Sequence, residues 1–556
     1  MTSLRAPGVA LIGLLLVLGA AAPVSDPHEL VLRDALRAAI ATTDSMTTRI
    51  SMVTRMDGSL FYLKRAAGAP SARLVMRDTA GRETMLIDQA GIDGFAASPD
   101  ASLVVVSIAG PAGGVLRVIE TATGAARPDR IEGARFAALS WAPDGRSFFY
   151  TLASKAGASS PAHWRSARHV LGADPRRDRV LLDSAHLPFA FEGRPAMVAV
   201  AATPGSDFLV AWVSDALTGR SAFHAAPFAS LATTKATPGA IPWSLVAVQA
   251  DGVVAIAVRG ARIDMLTRRV SPQGSIVEAA LNDTNAFAHG RTVVAPGSGT
   301  LTGLGLARDA LYFARRDGAA MSLLRLASGA PRPQIVTLPF SGTIAPPGSD
   351  AGGLVTDPRQ AGADIGLQSW VQPLVWLHYD PRTHSVADLG LVPPFARGLR
   401  PYQAIETTAR ADDGTLIALS IVSRRDTPFD GRRPLLLDGA EAYDPTFMPT
   451  LLPWLDAGGV FAVAHLRGGA PSRDFIACAE SLIARHLTDP AHLSAGGNDL
   501  ISAAIIRRPD LFRPALLRPG LVGAMRAPHA NDIADQQAFL LWRMGAWRMA
   551  SGPQPP

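Results

Sequence analysis

Leu139–Tyr150, LSWAPDGRSFFY, is the stretch from which the architecture can be read. Ala142-Pro143-Asp144-Gly145 puts a proline, an aspartate and a glycine in consecutive places, which is the chemistry of a tight turn. The run that follows, Ser147 to Leu152, is rich in aromatic and β-branched residues, so a strand leaves the turn. The theme recurs from about Thr47 to Pro394. Ser59 to Lys64 follows Asp57-Gly58, Leu103 to Ile108 follows Ser98-Pro99-Asp100, and Val253 to Val258 follows Asp251-Gly252. Phe208 to Val213 and Ala310 to Ala314 are further runs of the same kind, the second leading to Asp317-Gly318. Successive hairpins over about 350 residues exceed one sandwich, whereas radial repetition of four-stranded blades accommodates them. At about 50 residues per blade the length predicts a β-propeller of about seven blades, with no strict internal period to separate seven from six or eight.

Beyond Arg400 the pattern changes. Thr415 to Val422 and Pro434 to Leu437 read as strands, and Gly459 to Leu466 (GVFAVAHL) is a continuous apolar run suited to a strand buried on both faces. Asp474 to Arg485 (DFIACAESLIAR) carries Phe475, Ala479 and Leu482 at helical spacing, with Ser472 as candidate N-cap. Strands alternating with helices predict a mostly parallel α/β sheet.

A chain of 556 residues is too long for one core. Its 48% hydrophobic and 18% charged content excludes the disordered class. The net charge of +6 comes from scattered arginines without a basic run, so a nucleic-acid partner is not expected. The 12 histidines show no HExxH spacing, which predicts neither metal nor cofactor, and His465 reads as a core residue. A single cysteine, Cys478, in an apolar helical run reads as a buried inert thiol. Arg5, the apolar stretch Val9 to Leu18 and the small residues Gly19 to Ala22 form a secretory signal, predicting a periplasmic or secreted protein. That apolar stretch is about half the roughly 20 residues a spanning helix needs, so no membrane span is expected after cleavage.

Several ordered segments resemble the prolyl oligopeptidase family of serine peptidases. In the first part these are Phe61 to Arg65 with Ala72 to Asp78, Phe95 to Asp100 (FAASPD), Pro128 to Ile131 (PDRI) and LSWAPDGRSFFY. In the last part they are Pro434 to Tyr443 (PLLLDGAEAY), Trp454 to Gly469, Asp474 to Gly497 and Arg508 to Phe512 (RPDLF). The resemblance implies a propeller capping an α/β-hydrolase domain that cuts short peptides after proline with a Ser, Asp, His triad. In such a triad a histidine takes the serine proton and a carboxylate orients the histidine. The expected organisation is a signal peptide (1–22), an N-terminal segment (23–46), a β-propeller (47–395) and an incomplete α/β-hydrolase domain (396–556).

The departures from the family pattern fall at the chemistry. Where the resemblance expects Gly-Gly-Ser-Asn-Gly-Gly, this sequence reads Ser494-Ala495-Gly496-Gly497-Asn498-Asp499-Leu500. Aligned on Gly496 and Gly497, Asn498 stands where the nucleophile should be, and Asp499 and Leu500 occupy places that demand small residues at an elbow. Ser494 is the nearby serine and a weak fallback nucleophile; a strand-end hydroxyl bonded to backbone is the plainer expectation. Ser502 falls in the following helix. Ala440 stands where the family offers an oxyanion donor, a loss worth about 10²–10³ in rate. Only 59 residues follow Gly497, and His529, Asp532 and Asp535 come in reversed order, reading as a polar surface turn. The segment Gly468 to Ser472 is shorter than the family's loop, and a shortened sheet would present an edge. No triad is intact by this reading, which predicts a homologue with absent or strongly impaired hydrolysis. The alternatives are a propeller-based peptide or protein binding module and an active serine peptidase with a displaced triad.

Overall fold

The computed structural model describes residues 27–110, 114–133, 138–153, 164–191, 195–215, 221–233, 240–317, 320–344, 353–396, 398–440, 445–467, 469–497, 499–512, 515–517 and 530–544. The signal segment 1–22 therefore lies outside the described residues. The chain forms two compact units, one spanning Thr48–Ser369 and Leu374–Pro393, the other drawing on Met1–Thr47, Trp370–Pro373 and Pro394–Pro556.

The first unit is a β-propeller of seven blades; among the described residues, six have four antiparallel strands and the last has five. In blade 2 the strands Ile92–Ala97, Leu103–Ile108, Val115–Glu120 and Ala126–Glu132 succeed one another as a meander. The turn chemistry read from sequence does its work in the first hairpins of blades 2 and 3. The Ser98 amide donates to Leu103 O at 2.8 Å, and the Ala142 amide to Ser147 O at 2.9 Å. In each turn the aspartate accepts an amide two residues on, Ser102 N to Asp100 at 3.1 Å and Arg146 N to Asp144 at 2.9 Å. The next position is left-handed in both, with φ +66° at Gly145 and φ +57° at Ala101, so blade 2 holds without glycine a conformation that glycine adopts freely.

Among the described strands, none is exchanged between the first and last blades, since each blade uses strands contiguous in sequence. Side chains close the ring instead. Arg55, on the innermost strand of blade 1, grips Asp364 of blade 7 through Nε at 2.6 Å and Nη2 at 2.8 Å. His378 Nδ1 reaches the same carboxylate at 2.8 Å. Burial would raise the Asp364 pKa, yet the hydrogen bonds from His378 and Arg55 outweigh it and hold the carboxyl below its usual range. Apolar contacts of Ile50, Leu60 and Tyr62 with Trp376 and Leu391 surround the pair.

Among the described residues the second unit is built on a sheet of six strands: β1 (Tyr402–Arg410), β2 (Leu416–Arg424), β3 (Leu435–Ala440), β4 (Val460–His465), β5 (Leu493–Gly497) and β6 (Ala515–Leu517). Their spatial order is β1-β2-β4-β3-β5-β6, with β3, β4, β5 and β6 parallel. Helices α1 (Pro27–Ser45), α2 (Leu452–Asp456), α3 (Pro471–Ala484), α4 (Asp499–Arg507) and α5 (Ala530–Arg543) cover it. Alternation along the strands assigns the faces. Leu435, Leu437, Ala462 and Ala464 pack on Phe475, Cys478 and Leu482 of α3 and Ile501 of α4. Leu436, Phe461 and Val463 pack on Leu36 and Ile40 of α1, Trp454 of α2 and Leu540 and Leu541 of α5. Phe475, Ala479 and Leu482 are fully buried, as their helical spacing predicts. The helix begins earlier than expected: Ala470 is the N-cap, Pro471 takes the first turn, and Ser472 lies inside.

Two pieces of sequence distant from the sheet acquire their place here. The segment 23–46 carries α1, which lies along α5, and Arg37 holds Asp535 in a fork at 2.7 and 3.0 Å. Asp532 and Asp535 thus belong to helix α5 and not to a polar turn. The three-residue β6 bounds one edge of the described sheet, the short edge that limits strand addition.

Candidate active site

Ligands of open α/β sheets sit at the carboxyl ends of the strands, where β3, β4 and β5 finish at Ala440, His465 and Gly497. Strand β5 pairs with β3 through Leu435–Leu493, Leu436–Ser494 and Leu437–Ala495, and with β6 through Gly496–Leu516 and Gly497–Leu517. Gly496 and Gly497 are therefore ladder residues, and α4 starts at Asp499. One residue, Asn498, connects strand to helix, and it lies outside the described residues. Gly439 lets α4 approach β3 closely, because a Cβ there would stand 2.8 Å from Ile501 Cδ1 and 2.9 Å from Leu466 Cδ1.

Ser494 corrects one expectation. It is the second residue of β5, not its end, and it is 0% exposed with its Oγ making no hydrogen bond, to backbone or otherwise. A nucleophile needs a base within reach and an open approach, and Ser494 has neither. Ala440 ends β3 opposite His465 in the parallel ladder. Ser502 lies within α4. Cys478 is fully buried, and burial pushes its thiol up to about 12, which removes the thiolate that reactivity requires. His529 lies outside the described residues.

The structure assembles a polar line that sequence reading missed. Ser420 Oγ on β2 donates to Glu406 Oε2 on β1 at 2.7 Å and lies 2.8 Å from His465 Nε2 at the end of β4. The three sit on one face because Glu406 is opposite Ser420, and Leu419 opposite Ala464, in the antiparallel ladders. The order of groups is not that of a triad. A catalytic imidazole stands between hydroxyl and carboxylate, whereas here the hydroxyl stands between the other two. With its one proton given to Glu406, Ser420 can only accept from Nε2–H, so His465 is a donor toward it and not its base. Ser420 is also 0% exposed. The line ties three strands together; His465, expected as a core residue, is only half-buried at the end of β4, where its ring meets a polar partner.

Next to it, Arg467 closes the short loop between β4 and α3. Its amide and Nε each donate to Asp474 Oδ2 at 2.9 Å, and its Nη1 reaches Asp413 at 3.1 Å. Asp474 is fully buried, so the guanidinium supplies the charge partner that makes the burial tolerable.

Comparison with known proteins agrees with this geometry. Residues 30–387 match the family model for the prolyl oligopeptidase N-terminal beta-propeller domain. An uncharacterized peptidase, y4sO, of Sinorhizobium fredii (strain NBRC 101917 / NGR234) is 28% identical over 284 residues, 44% of this chain and 39% of that protein. The prolyl endopeptidase of Elizabethkingia meningoseptica is 25% identical over 150 residues, 22% of this chain and 21% of its own length. The matched segments thus span less than half of those curated relatives. Among solved structures, one from a mechanistic study of two prolyl endopeptidases superposes with TM-score 0.71 at 22% identity, covering 88% of this chain and 75% of that one. Prolyl oligopeptidase B of Galerina marginata bound to a 25mer macrocyclization substrate gives TM-score 0.70 at 16% identity, covering 86% and 74%. With the family model matching well over half of the chain and both units built as expected, the chain belongs to the prolyl oligopeptidase family.

Proposed function

We propose that this family member binds short peptides and that its hydrolytic activity is absent or strongly impaired. The observation that carries the reading is the end of β5: Gly497 leaves the ladder for α4 through Asn498, an amide where acyl transfer needs an ionisable hydroxyl. The nearby Ser494 is sealed in the sheet, and the hydroxyl that does meet an imidazole, Ser420, hands its proton to Glu406. Ala440 adds the loss of an oxyanion donor. The similarity to a prolyl endopeptidase and to a prolyl oligopeptidase bound to a macrocyclization substrate motivates peptides as the ligand class. The segment Arg5 to Ala22 supports export as the setting.

The test is incubation of the mature protein with a fluorophosphonate, which labels activated serines, and with a proline-containing chromogenic peptide. No labelling and no turnover are expected. Labelling mapped to any serine would refute the reading, and its loss in S420A but not S494A would identify Ser420 as a displaced nucleophile.

A further inference from the structure

A cavity of about 470 Å³ lies within the propeller, lined from blade 4, the innermost strands of blades 5 and 6, and the segment around Thr356 and Pro358. Its wall on blade 4 is a cross-strand row. Ala199 faces Trp212, and Trp212 faces Phe223, in adjacent ladders. The two alanines of that wall, Ala199 and Ala201, leave the space that larger side chains would fill, while Trp212 and Phe223 supply the aromatic surface. On the far side, Gly305 lets Thr356 settle against its strand, since a Cβ on Gly305 would stand 2.8 Å from the Thr356 hydroxyl.

The lining decides what can enter. Among the described residues it contains no charged side chain. Charged residues next to the lining in sequence are engaged elsewhere: Arg359 pairs with Asp357 at 3.0 Å and donates to Pro99 O at 2.8 Å. Arg259 Nη1 donates to Arg308 O at 2.6 Å. A carboxylate or ammonium would therefore lose its hydration without gaining a partner. Two polar groups do face the space. The hydroxyls of Thr203 and Thr356 make no hydrogen bond to the described protein, and each can give or take one. The volume falls within the roughly 300–1,000 Å³ of small-ligand sites, whose usual make-up is an apolar wall with a few polar groups that fix orientation.

We infer that this cavity is a binding site for a neutral apolar segment of a peptide, an aromatic or aliphatic side chain lying on Trp212 and Phe223 with its amides on Thr203 and Thr356. The inference rests on the proposal that peptides are the ligands, but not on whether they are cut.

The experiment is calorimetry of the full mature chain with the capped neutral peptide acetyl-Ala-Phe-Pro-Ala-amide and with its Phe-to-Asp analogue. Wild type should bind the neutral peptide and bind the aspartate analogue at least about tenfold more weakly, a carboxylate here being buried unpaired. A201W places an indole in the cavity from an exposed position, so the fold survives and affinity for the neutral peptide falls by at least about tenfold. A257W, from the blade 5 side, should act alike. Equal affinity in wild type and both filled variants, or equal affinity for the two peptides, overturns the cavity assignment and leaves peptide binding elsewhere intact. Absence of binding by wild type overturns the peptide reading itself.

Discussion

Replacing His169 with glutamine removes a cation from between two buried carboxylates. His169 sits on the third strand of blade 3 (Trp164–Val170) with its side chain 0% exposed, and Asp129 of blade 2 and Asp178 are 2% and 5% exposed. Nε2 lies 3.1 Å from Asp129 and Nδ1 2.9 Å from Asp178, so hydrogen bonds on both sides require the imidazolium. Tyr150 adds its hydroxyl to Asp178 at 2.8 Å, and Arg127 stands 3.7 Å from Asp129. Burial by itself would lower the His169 pKa, but the hydrogen bonds and charges of Asp178 and Asp129 outweigh it and raise it. A base so raised stabilises the fold fully below the unfolded value of about 6.5, and that contribution is lost as pH rises through the folded value. Asp129 runs the other way. Burial would raise it, yet the Gly172 amide and His169 hold it low, so its contribution is present above about 3.9 and lost as pH falls through the folded value. Breaking a buried ion pair by removing one partner costs about 3–5 kcal/mol. A unit running from Thr48 to Pro393 has an unfolding entropy of about 0.7 kcal/mol/K, so H169Q should lower its Tm by about 4–7 °C at pH 5.5. Differential scanning calorimetry at pH 5.5 and pH 9 reads both the size of the drop and its decrease with pH. A drop under about 2 °C at pH 5.5, or an equal drop at both pH values, refutes the bridge as an imidazolium.

Other consequences are equally direct. His224 stacks on Phe189 with ring centroids 3.6 Å apart, and burial depresses its pKa to about 4. A base so depressed contributes its full stability above about 6.5 and loses roughly 3 kcal/mol as pH falls toward 4, a loss that urea titrations should show and H224F should remove. Arg55→Met leaves Asp364, whose side chain is 1% exposed, with His378 as its charge partner in place of two, and should cost about 3 kcal/mol in thermal unfolding of the propeller; no change would mean that His378 and the apolar seam close the ring. Gly459→Ala drives a Cβ to 2.4 Å from the Trp454 ring. The overpacking should destabilise the second unit by about 1–3 kcal/mol in chemical denaturation, and W454F should restore part of it.

The elements of this chain were legible because their causes are local. Pro-Asp-Gly turns, β-branched runs and the apolar strand Val460–His465 declare themselves within ten residues, since turn geometry and side-chain alternation act over that distance. The count of seven blades was available only as a length estimate, because the blades share a shape and no repeated residue spacing. The proposed loss of function rests on letters of the sequence, Asn498 and Ala440, because a missing hydroxyl or donor is written in one residue. Contacts between distant segments were not. That α1 belongs to the second unit, that Glu406, Ser420 and His465 share a face, that His169 joins Asp129 to Asp178, and that Ser494 is left without a partner all depend on register and packing across tens to hundreds of residues. A serine or histidine in an apolar strand reads the same whether its neighbour across the ladder is a carboxylate or a leucine, and only the folded chain chooses which neighbour that is.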